Sequence, residues 1–293
     1  RLKGWALGLN AGGGNLGVAA VQLVGLAVLA TAGKDSPLWM LGVYIPLIVV
    51  ATACAALFMD NLTHATNEKR AMRDVMHDRH TWIMSFLYIG TFGSFIGFSF
   101  AFGQVLLVQF SEQFDTPVKA ASLTFLGPLI GSLIRPVGGR LADRFGGARV
   151  TIVNFGAMAA GAGVVLVASQ AESLVLFIVA FVALFTCTGI GNGSTYKMIP
   201  AIFTAKAALA VEEGADAVAE ARRARRLSRA LIGIAGSIGA FGGVLVNLAL
   251  RQSFLSNGSA DAAYVAFIVF YLVCVAVTWT VYLRPSRSRL VGI

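Results

Sequence analysis

The chain has 293 residues, 57% of them hydrophobic and only 13% charged, with a mean hydropathy of +0.77 and a formal net charge of +9. That balance excludes a soluble domain, in which about a quarter of the residues are charged, and it identifies an all-α, polytopic membrane helical bundle. The excess of positive charge does not point to nucleic acid, because the basic residues gather between apolar spans, where they set orientation instead.

Taking roughly 20 apolar residues as one crossing, eight spans are predicted: 4–31, 38–59, 82–108, 118–138, 150–169, 174–196, 230–250 and 263–283. An even number of spans brings both ends of the chain to one side. On that side fall 18 of the 23 lysines and arginines, in clusters around Lys3, Arg73, Arg144, Arg225 and Arg287, while Lys34, Lys119 and Arg251 fall on the other. The positive-inside rule makes both termini cytoplasmic. The sequence starts at Arg1 with no initiator methionine or signal peptide, so it is expected to be part of a longer chain.

The first span carries small residues at Gly8, Ala11, Gly14 and Gly17. The spacing predicts one smooth helical face, suited to close helix packing or to a small ligand approaching the backbone. A second copy stands at Gly233, Gly236, Gly239 and Gly242, each member 225 residues after its counterpart. Paired glycine helices in corresponding places suggest a two-fold repeat around a shared site.

The connection 61–80 is polar and holds all three histidines, His64, His77 and His80, which are expected to be solvated loop residues in a linker. The connection 203–229 runs from acidic to basic along an alanine-rich stretch and predicts an exposed or interfacial helix. Cys54, Cys187 and Cys274 lie in apolar stretches without metal-ligand spacing, so they read as small core residues and no metal or other cofactor is expected.

No span contains a carboxylate, which leaves no obvious proton or cation site. The spans offer cations instead. Arg135 lies between Pro128 and Pro136, at a cost of about 3 kcal/mol if it sits near mid-membrane. Two readings stand: the side chain snorkels to the interface, or its planar fork holds an oxygen-bearing anion. Lys197, nearer its helix end, is expected to snorkel. On the third span Tyr88 and Phe92 stand four residues apart and share a face, where a phenol and a ring could narrow a path around an anion.

Several segments together carry a family likeness. Gly139-Arg140-Leu141-Ala142-Asp143-Arg144-Phe145-Gly146-Gly147-Ala148-Arg149 resembles the cytoplasmic gating loop of the major facilitator superfamily. The two glycine helices resemble the paired signature motifs of its nitrate/nitrite porters, and the third span and Thr188-Gly189-Ile190-Gly191-Asn192-Gly193-Ser194-Thr195-Tyr196 are similar to the same family. The resemblance implies a twelve-helix fold of which these eight are helices five to twelve. Residues 1–60 would then close the N-terminal bundle, 61–80 would be the cytoplasmic linker and 81–293 the C-terminal six-helix bundle.

The likeness further implies a bacterial inner-membrane carrier of nitrate and nitrite, working as a monomer among membrane lipids by alternating access. Arg135, Tyr88, Phe92 and Asn15 would bind the anion, beside Gly12, Gly14, Gly236, Ser237 and Gly239. Gly139, Asp143, Arg144 and Arg149 would form the gating loop. A partner arginine would come from a helix absent from this sequence. Without a carboxylate in the spans, nitrate/nitrite exchange is favoured over nitrate/proton symport. A facilitator for another small anion would not need both glycine motifs together with Arg135. A membrane enzyme would be expected to show helical His/Asp/Glu or Ser/His pairs, and here all three histidines lie in one connection.

Overall fold

The structure, a computed structural model, describes residues 3–33, 38–60, 69–114 and 116–284. These are helical almost throughout, and eight helical segments are long and apolar enough to cross a membrane, as expected. In chain order they are α1 (Lys3–Ala32), α2 (Leu38–Phe58), a short α3 (Lys69–Met76), α4 (Arg79–Tyr88), a π turn (Ile89–Gly93), α5 (Ser94–Gln109), α6 (Pro117–Thr124), α7 (Leu126–Phe145), α8 (Gly147–Gln170), α9 (Leu174–Glu212), α10 (Ala217–Asn257), α11 (Asp261–Thr278) and a terminal π turn (Trp279–Leu283). α4, the π turn and α5 form one crossing, and α6 with α7 another.

Local chemistry sets the corners. Gly146 adopts φ +91°, a conformation open to glycine, and turns the chain from α7 into α8. The Asp216 carboxylate accepts from the Ala219 N–H (2.7 Å) and starts α10. The expected interfacial helix of 203–229 is therefore two helix ends: α9 runs on to Glu212, and α10 begins at Ala217. At 39 and 41 residues these helices are each roughly 60 Å long, about twice a bilayer core, and project from one end of the bundle.

That end is the basic one. There α3 is fastened under the bundle by burial of Val75 and by an ion pair between Arg226 and Asp74 (3.1 Å). Asp78 caps α4 by accepting from the His80 N–H (2.9 Å) and pairs with Lys206 of α9. His80 departs from expectation: it is buried, and its ring bonds Tyr282 (3.1 Å), because α4 starts three residues before the apolar run and carries it inside. His77 is exposed, and His64 lies outside the described residues. Cys274 is buried, Cys187 is half-buried and Cys54, on the exposed α2, is not a core residue.

Burial pushes the Asp78 carboxyl up, but the Lys206 hydrogen bond, the His80 N–H and the charges of Lys206 and His80 outweigh it and leave the group below its ordinary 3.8. A depressed carboxyl supports the fold above pH 3.8, and that support is lost as pH falls through the lower folded value. Wild type should therefore melt higher than Lys206→Met near neutrality, with the gap closing as pH drops below 3.8. A gap that stays constant through acid titration contradicts the pairing.

The core is a column of rings from α5 and α9. Phe102 stacks on Phe181 (centroids 4.6 Å), Phe98 meets Phe181 edge-on (5.3 Å), and Phe95 meets Phe185 (6.2 Å). Around it, glycines let the backbones touch. A Cβ on Gly189 would strike the Gly131 carbonyl of α7, and one on Gly138 would strike Ile190 of α9. α1 lies along the other side of α7, and α2 rests on α1 through Met40 against Gly25 and a Tyr44 hydrogen bond to the Val21 carbonyl (2.9 Å).

The packed face of α1 is Gly4, Gly8, Gly12 and Ala19, not the three-residue series. Three-residue steps drift by about 60° each around a helix, whereas 4, 8, 12 and 19 stay within an arc of about 80°. Gly14 and Gly17 face nothing within the described chain. The same holds in α10: Ala235, Gly239, Gly242, Gly243 and Val246 are buried, while Gly233 and Gly236 are open.

Candidate functional site

Arg135 sits near the middle of α7, roughly 15 Å from the helix end. It does not snorkel. Its residue is 2% exposed, and among the described residues no carboxylate pairs with it. Pro136 follows, and lacking an N–H it leaves the Ser132 carbonyl without its helical donor. Gly12 of α1 presses on that carbonyl, with a Cβ there only 2.7 Å away, and Gly8 presses on the Arg135 carbonyl (2.8 Å). From the opposite side Gly193 of α9 closes on the same carbonyl. The segment bearing the arginine is thus clamped between two glycine faces.

The guanidinium meets an aromatic box. Nη2 donates to the Tyr88 hydroxyl (2.6 Å), and the guanidinium carbon lies 5.7 Å from the Phe92 ring and 5.4 Å from the Tyr196 ring. Tyr88 and Phe92 stack at 5.2 Å, and Phe92 continues onto Phe95 at 6.3 Å. Behind Tyr88 stands Gly239, where a Cβ would come within 2.7 Å of the ring. Since the Tyr88 oxygen already accepts from arginine, its own proton is free to donate.

Several polar atoms here have no partner among the described residues: Arg135 Nε, Ser132 Oγ, Asn15 Nδ2, and both amide atoms of Asn192. Each unpartnered buried group costs about 1–3 kcal/mol. All except Asn192 Oδ1 can donate, so a ligand that satisfies them is an acceptor. A permanent cation, a phenol proton and amide donors against flat rings suit a small oxyanion and suit no metal.

The structure thus brings together Arg135, Tyr88, Phe92, Gly12 and Gly239, with Asn15 half-buried one turn beyond Gly12. It does not bring Gly14, Gly236 or Ser237 to them: these are open, and the Ser237 hydroxyl is spent on the Gly233 carbonyl (3.1 Å). Sequence reasoning gave no role to Tyr196, Asn192 or Ser132. The first two share a face at four-residue spacing, and Ser132 stands one turn before Arg135; these intervals were the available signal.

The expected gating loop makes a separate contact at the basic end. The Asp143 carboxylate accepts from the Gly4 and Trp5 N–H groups (3.0 Å each), capping α1 from another helix, and lies 3.9 Å from Lys197. Lys197 also donates to the Ala142 carbonyl (3.3 Å), so it is held at the end of α7 instead of extending freely to the interface. A Cβ on Gly139 would collide with the Gly4 carbonyl. Arg144 and Arg149 are exposed. Asp143→Ala should weaken the cap by about 1–2 kcal/mol and speed amide exchange at Gly4 and Trp5; unchanged exchange there would refute the cap. A cavity of about 900 Å³ also opens at this end, between Lys3, Glu212, Arg225 and Arg229, but Arg135 does not line it.

Comparison with known proteins agrees with this architecture. The family model of the Major Facilitator Superfamily matches residues 2–215. The chain is 37% identical to the nitrate/nitrite transporter NarU of Salmonella typhimurium and 35% identical to NarU of Escherichia coli, in each case over 98% of this chain and 65% of the relative. It is 31% identical to a Thermus thermophilus protein named "Probable nitrate/nitrite antiporter NarK2", over 99% of this chain and 65% of that protein. The chain therefore spans about two thirds of the length of these relatives.

Proposed function

Because the chain belongs to the major facilitator superfamily, we propose that the protein carries nitrate and nitrite across a bacterial inner membrane, exchanging one for the other by alternating access. The observation that carries this reading is Arg135: a buried guanidinium with no carboxylate beside it among the described residues, held by Tyr88 over the faces of Phe92 and Tyr196. A small planar anion supplies what that site lacks. The flat rings accept its face, while the guanidinium and phenol donate to its oxygens. No bond is made or broken, so the protein is a carrier and not an enzyme. The names of the similar proteins favour the same substrates.

Residues 1–60 are assigned to one bundle, 61–80 to the linker and 81–293 to the second bundle, with the basic end in the cytoplasm. Gly4, Gly8 and Gly12 then lie at the interface over which the bundles rock, and Asp143 is a latch released when that end opens. Exchange is favoured over proton coupling because the spans described here hold no carboxylate.

Counterflow tests the reading. Proteoliposomes of the full-length protein, preloaded with nitrite and free of any pH gradient, should accumulate labelled nitrate, and buffer-loaded vesicles should not. Uptake that needs a pH gradient overturns exchange; no uptake under either condition overturns the substrate.

A further inference from the structure

Asn192 is fully buried, yet neither atom of its side-chain amide has a partner among the described residues. Its place on α9 shows where it faces. Tyr196, one turn on, covers the Arg135 guanidinium, and Phe185, seven residues back, meets Phe95. Positions 185, 192 and 196 share one helical face, so Asn192 lies on the strip between those rings. Its neighbours bracket it: Gly193 abuts the α7 backbone, and Gly191 abuts Thr91 of the π turn, whose hydroxyl bonds Thr195 (3.3 Å). The ring ladder Tyr88, Phe92, Phe95 thus has the cation and phenol at one end and the Asn192 amide further along it.

We infer that Asn192 is a specificity-determining residue of this anion site, its amide donating to the oxygen that a three-oxygen planar anion has and a two-oxygen anion lacks. The inference rests on the anion reading above. Two oxygens of either anion are served at the charged end, by the guanidinium and the Tyr88 hydroxyl. Nitrate then presents a third oxygen away from the arginine, along the ladder, where Asn192 Nδ2 is the unpartnered donor on α9. Nitrite presents none. Asn192 Oδ1 is likewise without a partner among the described residues.

The test is the pair of dissociation constants, for nitrate and for nitrite, measured by titration calorimetry on the full-length protein. Wild type is compared with Asn192→Leu, which keeps the volume and removes both polar atoms, and with Asn192→Ser, which keeps a donor. Asn192→Leu should weaken nitrate at least about tenfold and nitrite less than about threefold, while the ligand-free melting temperature holds or rises. Asn192→Ser should shift the nitrate-to-nitrite ratio in the same direction by less, and it reads the ratio should the leucine variant not fold. Equal losses for both anions, or no loss for either, overturn the inference while leaving the anion site standing. A wild-type protein that binds neither anion overturns the anion reading and this inference with it.

Discussion

Arg135→Lys is expected to lower nitrate uptake in counterflow by about 100-fold while leaving the protein folded. Lysine preserves the charge, so a site that needed only positive potential would tolerate it. The observed site uses more than charge: Nη2 is committed to Tyr88 at 2.6 Å, Nε stands unpartnered, and the flat guanidinium lies against the Phe92 and Tyr196 rings. An ammonium offers no fork and is more strongly hydrated, so it is less suited to a dry aromatic box. Losing one or two charge-assisted hydrogen bonds amounts to about 3 kcal/mol, from which the hundredfold follows. Uptake by Arg135→Lys above a tenth of wild type, at equal folded protein, would remove the bidentate site from contention.

Gly193→Ala is expected to be strongly destabilising. At Gly193 an added Cβ meets the Arg135 carbonyl and lies 2.6 Å from the Gly139 nitrogen. Both obstacles are backbone, so no rotamer change relieves them and α7 must move away from α9. Overpacking of this kind costs about 3 kcal/mol, a drop of roughly 5–10 °C in melting temperature for a domain of this size. Gly156→Ala on α8 is the control. Its Cβ meets nothing within 4 Å, and replacing a mid-helix glycine should be neutral or stabilising by up to about 1 kcal/mol. Melting curves in one detergent decide it, and coincident midpoints for the two variants would contradict the clamp.

Helix number and type were legible in the sequence because membrane spans are written as uninterrupted apolar runs, and Arg135 was legible because a cation inside such a run is conspicuous. Tyr88 and Phe92 followed from four-residue spacing. The glycine faces were found but misphased, since a three-residue series stands out to the eye although a four-residue one does the packing: Gly4, Gly8 and Gly12 touch α7, and Gly14 does not. Tyr196 was passed over because it meets Arg135 across about 60 residues of chain, and Asn192 because nothing local marks a lone amide among glycines as a buried, unpartnered group. His80 was misplaced because charged neighbours suggested a loop, whereas Asp78 starts the helix before it and Tyr282 encloses it.

The buried Arg135 guanidinium has a kinetic corollary on the exchange reading. Without cargo, Arg135 holds an elementary charge that no carboxylate among the described residues offsets, an arrangement unfavourable by several kcal/mol in a low-dielectric interior, and reorienting it would expose that charge to a changing field. A monovalent anion aboard offsets one such charge, so on this reading the occupied form turns more readily than the vacant one. The vacant form stalls and the occupied form cycles, so on that reading turnover behaves as a revolving door: one passenger out for each passenger in.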